Sequence, residues 1–332
     1  MKMNFVYEVR IQMMTAIKML TAIGVATAFV SGTATAQTVA IGSTKGSMVA
    51  AMTVAISKMV SSKTILKMRR QVMGGTQKYI PVVDAGELQF GLSNMVQYTM
   101  AKEGRELSKR KYKNLQLVST LMRFRTGLLV PNDSPIRKME DLRGKRFAAG
   151  FKGAPLFQTY YSAFLTNAGL TWSDVKKIPA VGLRQHWNLF KQGKIDVAMG
   201  GVGGGPNKDM NAKIPSGVRY LNMNHDTPGA IMSSKHLKGG KYEKVGKRKN
   251  YVAIRNPAYL FGYDFTMFTN KNVPVKTVYE VTKAMHDSVK DFHAVSGVWK
   301  SFNAQRMSKD QGGLAYHAGA VKFYKEKGLW KR

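Results

Sequence analysis

The sequence predicts an α/β protein of two lobes, built on two mainly parallel sheets flanked by helices. Three observations carry that expectation. Short apolar runs alternate with helix-like segments along most of the chain, the pattern of βα units. Three successive predicted strands end in small or polar residues, so their loops gather on the sheet edge where ligands of open α/β folds bind. Residues 115–130 form an extended run too long for an ordinary strand, as a crossover between lobes requires.

Taken in order, residues 18–37 carry Lys18, an apolar stretch, then Ala34 and Ala36 in the A-x-A arrangement of a cleavage site. The apolar part is too short to span a bilayer. Residues 1–36 are therefore expected to be a cleaved signal peptide, which a start at Met13 or Met14 would bring to a more ordinary length. The mature chain is expected to begin near Gln37, in the periplasm, with no stable membrane insertion.

A strand at 38–41 enters the turn Gly42-Ser43-Thr44-Lys45-Gly46-Ser47, followed by a helix over 48–60. A second strand, 65–72, ends at Gly74-Gly75-Thr76, with a helix to Ala85; a third, 88–92, leads into Ser93-Asn94. After the 115–130 crossover, which carries Arg123 and Arg125, the pattern restarts. A short helix around Glu140 and Asp141 precedes a strand at 146–149 and the loop from Gly150 to Pro155. A helix to about Ala168, a strand near 177–179, a helix over 184–192 and a strand at 195–199 come next. That last strand runs into the glycine-rich segment 200–206. Residues 226–256 are charged and weakly periodic and read as loop; 259–269 reads as the return crossover. The remainder is mostly helical and is expected to pack on the first lobe. The lobes are thus 37–124 with 266–332, and 125–265.

Composition narrows the chemistry. The 332 residues are 44% hydrophobic, with no cysteine, which excludes disulfides, thiolate nucleophiles and Cys-ligated metals. The net charge is +33; losing Lys2, Arg10, Lys18 and Glu8 with the first 36 residues leaves +31. Such an excess fits a receptor for anionic solutes, or a protein that binds nucleic acid or an anionic membrane surface. The cations crowd into 63–70, 102–113 and 235–249 without the interleaved aromatics of a base-stacking platform. No nucleic-acid partner is expected.

The candidate site lies at the predicted strand ends. Helix N-termini offer unpaired N–H groups and partial positive charge. Three βα turns have the small residues this needs: Ser43 to Ser47, Gly74 to Thr76 and Gly150 to Ala154. Lys45 and Lys152 add a cation to two of them. The hydroxyls of Ser43, Thr44 and Thr76 and the amide of Asn94 are expected to orient a small carboxylate. Gly200 to Gly205 matches neither nucleotide-binding fingerprint and reads as a close backbone approach to a ligand or a tight turn facing the cleft. His286 and His293 share a helix face without a third ligand nearby, and no metal, cofactor or catalytic set is expected.

Several segments resemble, in order, the TAXI-type solute receptors of TRAP transporters: VAIGSTKGSMVAAM, QVMGGTQKYIPVVDAGELQFGLSNMVQ, RKMEDLRGKRFAAGF, FLTNAGLTWSDVKKIPAVG, FKQGKIDVAMGGVG and YHAGAVKFYKEKGLW. The resemblance implies a type II-like periplasmic-binding-protein fold with a hinge and a non-enzymatic receptor that acts as a monomer. It further implies an organic-acid solute (a dicarboxylate, a 2-oxo acid or an amino acid such as glutamate) and delivery to TRAP membrane subunits. Carried over by matching segments, the ligand-facing positions are Ser43, Thr44, Gly46, Gly74, Gly75, Thr76, Ser93, Asn94, Gly150, Phe151, Gly201, Val202 and Gly203. Relatives carry glycines, a threonine and tyrosines where this chain has STKGSMVAAM, so Lys45 and Met48 alter the pocket.

Overall fold

The computed structural model describes residues 37–45 and 47–331; the expected signal peptide and Gly46 lie outside the described residues. The strands are β1 (Thr38–Thr44), β2 (Lys67–Met73), β3 (Phe90–Asn94), β4 (Leu115–Pro131), β5 (Arg146–Gly150), β6 (Lys176–Ala180), β7 (Ala198–Gly201), β8 (Val218–Tyr220), β9 (Gly240–Val245) and β10 (Ala258–Asn270). The helices are α1 (Met48–Lys63), α2 (Thr76–Ala85), α3 (Met95–Glu103), α4 (Pro155–Asn167), α5 (Leu183–Lys191), α6 (Gly205–Lys213) and α7 (Pro228–His236). They continue with α8 (Val275–Asp287), α9 (Val289–Val295), α10 (Ala304–Met307) and α11 (Ala318–Glu326).

Local chemistry sets the elements that frame the site. Ser47 caps α1, its Oγ accepting from Ala50 N; Val49, Met52, Ile56, Met59 and Val60 then recur at helical spacing and are buried. All five residues of β3 are buried, as a central strand covered on both faces demands. Pro155 occupies the first turn of α4, where its missing N–H costs no hydrogen bond. Asp141 accepts from the backbone N–H groups of Arg137 (2.7 Å) and Lys138 (3.1 Å).

The sheet differs from the expected pair of parallel sheets. Eight strands form one mixed sheet in the order β2-β1-β3-β10-β4-β7, with β8 on β4 and β9 on β10; β5 and β6 make a separate parallel pair. The reason is length. β4 spans 17 residues and β10 spans 13, about 56 and 43 Å at the usual rise. Each therefore serves both halves, antiparallel to the other. Toward one end they pair with β3 and, through it, β1 and β2; toward the other they pair with β7, β8 and β9. The two crossovers read from the sequence are these two strands.

A second correction concerns 226–256, read as loop. It contains α7 and β9. Thr227 caps α7, its side chain accepting from Ala230 N, and Pro228 starts it, whereas β9 is held by its ladder to β10. Partner strands, not an apolar pattern, stabilise such a segment.

A charge network fastens the crossover. The Asp264 side chain is 1% exposed and meets Arg306 Nη2 at 2.5 Å and Lys309 Nζ at 2.6 Å, with Gln311 Nε2 at 3.1 Å. Burial alone would raise its pKa; the hydrogen bond and charge of Lys309, with Gln311 and Arg123, outweigh that and hold it below the ordinary range. Next to it the ladder shifts register between Asp264 and Thr266, a bulge that bends the strands there.

Candidate functional site

The C-terminal ends of β1, β2 and β3 face the middle of the crossover strands from one side, and those of β5, β6 and β7 from the other. The register shows it. Asn94, the last residue of β3, pairs with Phe265; Phe124 pairs with Tyr263, and Gly201, the last residue of β7, pairs with Thr126. β5 runs parallel to the start of β7 through the Phe147–Val197 bridge and so ends toward the same line. The sequence-predicted turns are thereby gathered on two opposed edges.

On the first edge, most candidate side chains are occupied by the fold. Ser43 is fully buried, with Oγ 2.6 Å from Thr53 Oγ1. Thr44 Oγ1 hydrogen-bonds Ser47 Oγ. Ser93 is fully buried and donates to Asn94 O at 2.8 Å. Asn94 caps α3: Oδ1 accepts from Gln97 N at 2.8 Å, and Nδ2 donates to Gln97 Oε1 at 3.1 Å. Thr76 Oγ1 lies 3.3 Å from Tyr79 Oη. The side chains of Ser43, Ser93 and Asn94 are thus engaged within the fold, as buried polar groups must be. Lys45 is exposed, and Gly74 and Gly75 precede α2 without a side-chain cap.

The second edge is arranged differently. Gly150 (φ 101°) and Phe151 (φ 38°) both adopt the left-handed region, and Phe151 N donates to Ala180 O at 2.7 Å. The Phe151 side chain is fully buried, stacked on Tyr161 and edge-on to His186. Phe151 is therefore not a ligand-facing side chain; its ring anchors the loop, and the strained backbone positions the neighbouring exposed Lys152. Gly201 approaches Phe124 so closely that a Cβ there would sit 2.3 Å from the ring. Val202 N donates to Arg125 O, and Gly203 (φ 74°) lies against the Tyr251 ring.

Four helices whose N-termini follow strand ends on these edges start without a side-chain cap: α2 after Gly75, α4 after Ala154, α5 after Gly182 and α6 after Gly204. Their first-turn N–H groups are donors of the kind that hold anions. Arg123 and Arg125, the cations at the crossover, are paired internally. Arg123 Nη2 meets Glu243 Oε2 at 2.6 Å, and Arg125 Nε meets Glu243 Oε1 at 2.6 Å. Burial works to raise the Glu243 pKa, and Arg123 foremost among its partners holds it below the usual carboxylate range.

Sequence reasoning missed the rings between the edges. Phe124, Tyr263 and Phe265 contact one another at centroid distances of 5.3 to 6.0 Å. The signal was present as Phe261, Tyr263 and Phe265 at alternating positions, one face of a strand. It also missed His186, fully buried, whose Nε2 accepts from Met199 N (3.1 Å) and meets Tyr161 Oη at 2.7 Å.

Concavity alone does not mark this site. Two depressions, about 640 and 230 Å³, lie at the opposite sheet edge. The larger is lined by Gln116, Lys271, Tyr316, Lys322 and Lys325, among others, and the smaller by the starts of β1 and β3.

A family model, that of the NMT1-like family, matches residues 39–328. The chain belongs to the NMT1-like family. No curated protein matches it. Among solved structures, this NMT1-like chain is similar to PhnD1 from Prochlorococcus marinus in complex with methylphosphonate, at 10% identity, over 88% of this chain and 99% of that one, with a TM-score of 0.55. It is also similar to a periplasmic transporter (14%, 89% and 94%, 0.51) and to a Xanthomonas citri protein bound to ATP (9%, 88% and 97%, 0.51). At such identities the likeness is one of fold, and the fold is the two-lobed α/β architecture of periplasmic binding proteins. Among the described residues no helix is long and apolar enough to cross a membrane.

Proposed function

We propose that this protein is a non-enzymatic periplasmic receptor that holds an anionic organic solute between the two strand-end edges and presents it to a membrane permease. One observation carries the reading: uncapped helix N-termini from both sides converge on one crossover. A carboxylate that bonds to donors of both edges stabilises the arrangement in which they approach each other, so binding shifts an open–closed equilibrium. Residues 37–124 with 266–332 form one lobe and 125–265 the other, hinged at β4 and β10. Lys45 and Lys152 raise the local potential for anions.

The solute is a dicarboxylate, a 2-oxo acid or an amino acid, and the receiving permease is of the ion-driven TRAP type. The ordered segments that resemble TAXI receptors support this choice. An ATP-driven permease is the alternative; uptake that survives ATP depletion but stops with an ionophore supports the first and excludes the second.

The test is a thermal-shift screen of organic acids at low and high salt. A solute at about 100 times its Kd adds about 2.7 kcal/mol, a rise of a few degrees. A salt-tolerant rise with one or two acids supports the reading. Silence across the panel, with tight and salt-steep binding of DNA or anionic vesicles, replaces it with the surface-binding reading that the charge of +33 allows.

A further inference from the structure

Part of the chain's basic excess gathers at one place in the fold. The depression of about 640 Å³ at the opposite sheet edge is lined by Gln116, Lys271, Asn272, Tyr316 and one face of α11. That face is Ala318, Val321, Lys322 and Lys325, positions three and four apart that lie together on a helix. Backbone pairing assembles these pieces. Leu115 pairs with Asn270 where β4 starts and β10 ends, and Lys271 N donates to Asn114 O at 2.7 Å. His317 N donates to Leu117 O at 2.8 Å, which seats the start of α11 beside Gln116.

Lys271, Lys322 and Lys325 are exposed, and no carboxylate lines the depression. The carboxylates of adjoining segments are engaged elsewhere. Asp84 pairs with Arg110 at 3.4 Å, and Glu326 accepts from Tyr279 Oη at 2.6 Å. A fourth cation stands beside the three: Lys102 Nζ donates to Leu115 O at 3.2 Å. Burial foremost lowers the Lys102 pKa; Asp84 works against that, and the charge of Lys271 adds to it. Like charges gathered without counter-charge repel one another, and an external anion relieves the repulsion.

The lining cations are all lysines. The planar fork of arginine matches the carboxylates of an acidic peptide, whereas a lysine ammonium meets a phosphate as a point charge from any direction. The depression is also remote from the crossover: Gln116 precedes Phe124 by eight residues of one strand, about 25 Å. We propose that this end of the molecule is a docking face for the phosphates of an anionic membrane surface, on which the protein adsorbs without inserting. The charge of +31 carried beyond residue 36 supplies the long-range attraction, and Lys271, Lys322 and Lys325 supply the contact. The docked protein keeps both strand-end edges clear of the membrane. This surface adds to the receptor reading and does not depend on it.

The experiment is cosedimentation with vesicles of phosphatidylcholine alone and with phosphatidylglycerol added, at low and high salt. The expected result is binding to the anionic vesicles only, falling steeply with salt. Each lysine at an anionic surface contributes about fivefold, so the triple variant Lys271→Gln, Lys322→Gln, Lys325→Gln should weaken binding on the order of a hundredfold. A control triple, Lys244→Gln, Lys247→Gln, Lys249→Gln, removes the same charge from exposed positions near the far end of β10, where Val245 pairs with Ala258. It should weaken binding only several-fold. Both triples should melt with the parent protein and keep its response to the organic-acid panel. Equal losses in the two triples overturn the proposal, since net charge alone then accounts for adsorption. Failure to bind phosphatidylglycerol vesicles, or equal binding to neutral ones, overturns it as well. Duplex DNA bound more tightly than the vesicles through the same three lysines replaces the membrane with a nucleic acid and overturns it too. An acid panel without response refutes the receptor reading, whereas these vesicle results decide the docking face.

Discussion

The two edges that face the crossover are built from the same βα units but treat their helix N-termini in opposite ways. On the first edge, Ser47 and Asn94 cap α1 and α3, and Ser43 and Ser93 are buried in side-chain bonds of the fold. On the second, α4, α5 and α6 begin after Ala154, Gly182 and Gly204, none of which supplies a side-chain cap. A cap satisfies the donors that an anion would otherwise use. The first edge is thus mostly closed by its own side chains, with α2 the exception, while the second leaves its amides open.

The largest effect is expected at the frame that holds both edges. Asp264→Ala leaves Arg306 and Lys309 facing each other without their carboxylate and should destabilise the fold by about 3 kcal/mol, read in urea unfolding. Gly201→Val comes next. Its side chain would push into Phe124, costing about 1–3 kcal/mol by overpacking and lowering solute affinity because it disturbs the floor between the edges.

A third prediction concerns pH. Burial lowers the His186 pKa to about 3, below the ordinary 6.5. A depressed folded value means the neutral form is what the fold stabilises. That contribution is complete above pH 6.5 and is lost as pH falls from 6.5 toward 3. Unfolding free energy should therefore decline already between pH 6.5 and 4.5, above the range of the carboxylates. His186→Gln should flatten that decline.

The smallest effects separate the edges most sharply. Ser47→Ala removes a first-edge cap and should cost about 1 kcal/mol with little change in affinity. Gly182→Asp adds a cap to α5, where a new Cβ meets nothing within 4 Å. It should raise stability by a few tenths of a kcal/mol and weaken an anionic solute. Calorimetry and thermal unfolding of both variants read the two quantities independently. Equal effects on affinity from the two substitutions would erase the distinction between the edges.

What the sequence made legible follows from where the signal resides. β4 and β10 were visible because long apolar runs have few other uses in an α/β chain. The helix starts at Met48, Thr76 and Pro155 were visible because turn and first-turn residues act locally. β9 was not, since its stability comes from pairing with β10. The single mixed sheet was hidden for the same reason: strand order is a tertiary property. Among candidate site residues, the small and polar types at the turns pointed to the right loops. They did not reveal that Ser43, Ser93 and Asn94 are occupied internally or that the Phe151 ring turns inward. Such partners are distant in sequence or depend on a side-chain rotamer.

The central claim is capture of an anionic solute by open helix N-termini at the crossover. Calorimetric titration of the organic-acid panel into the protein and into Gly182→Asp tests it most directly. The account predicts one-to-one, salt-tolerant binding of at least one acid, weakened in Gly182→Asp. Saturable binding that is indifferent to Gly182→Asp, or none for any acid alongside salt-steep binding to DNA or anionic vesicles, would contradict it.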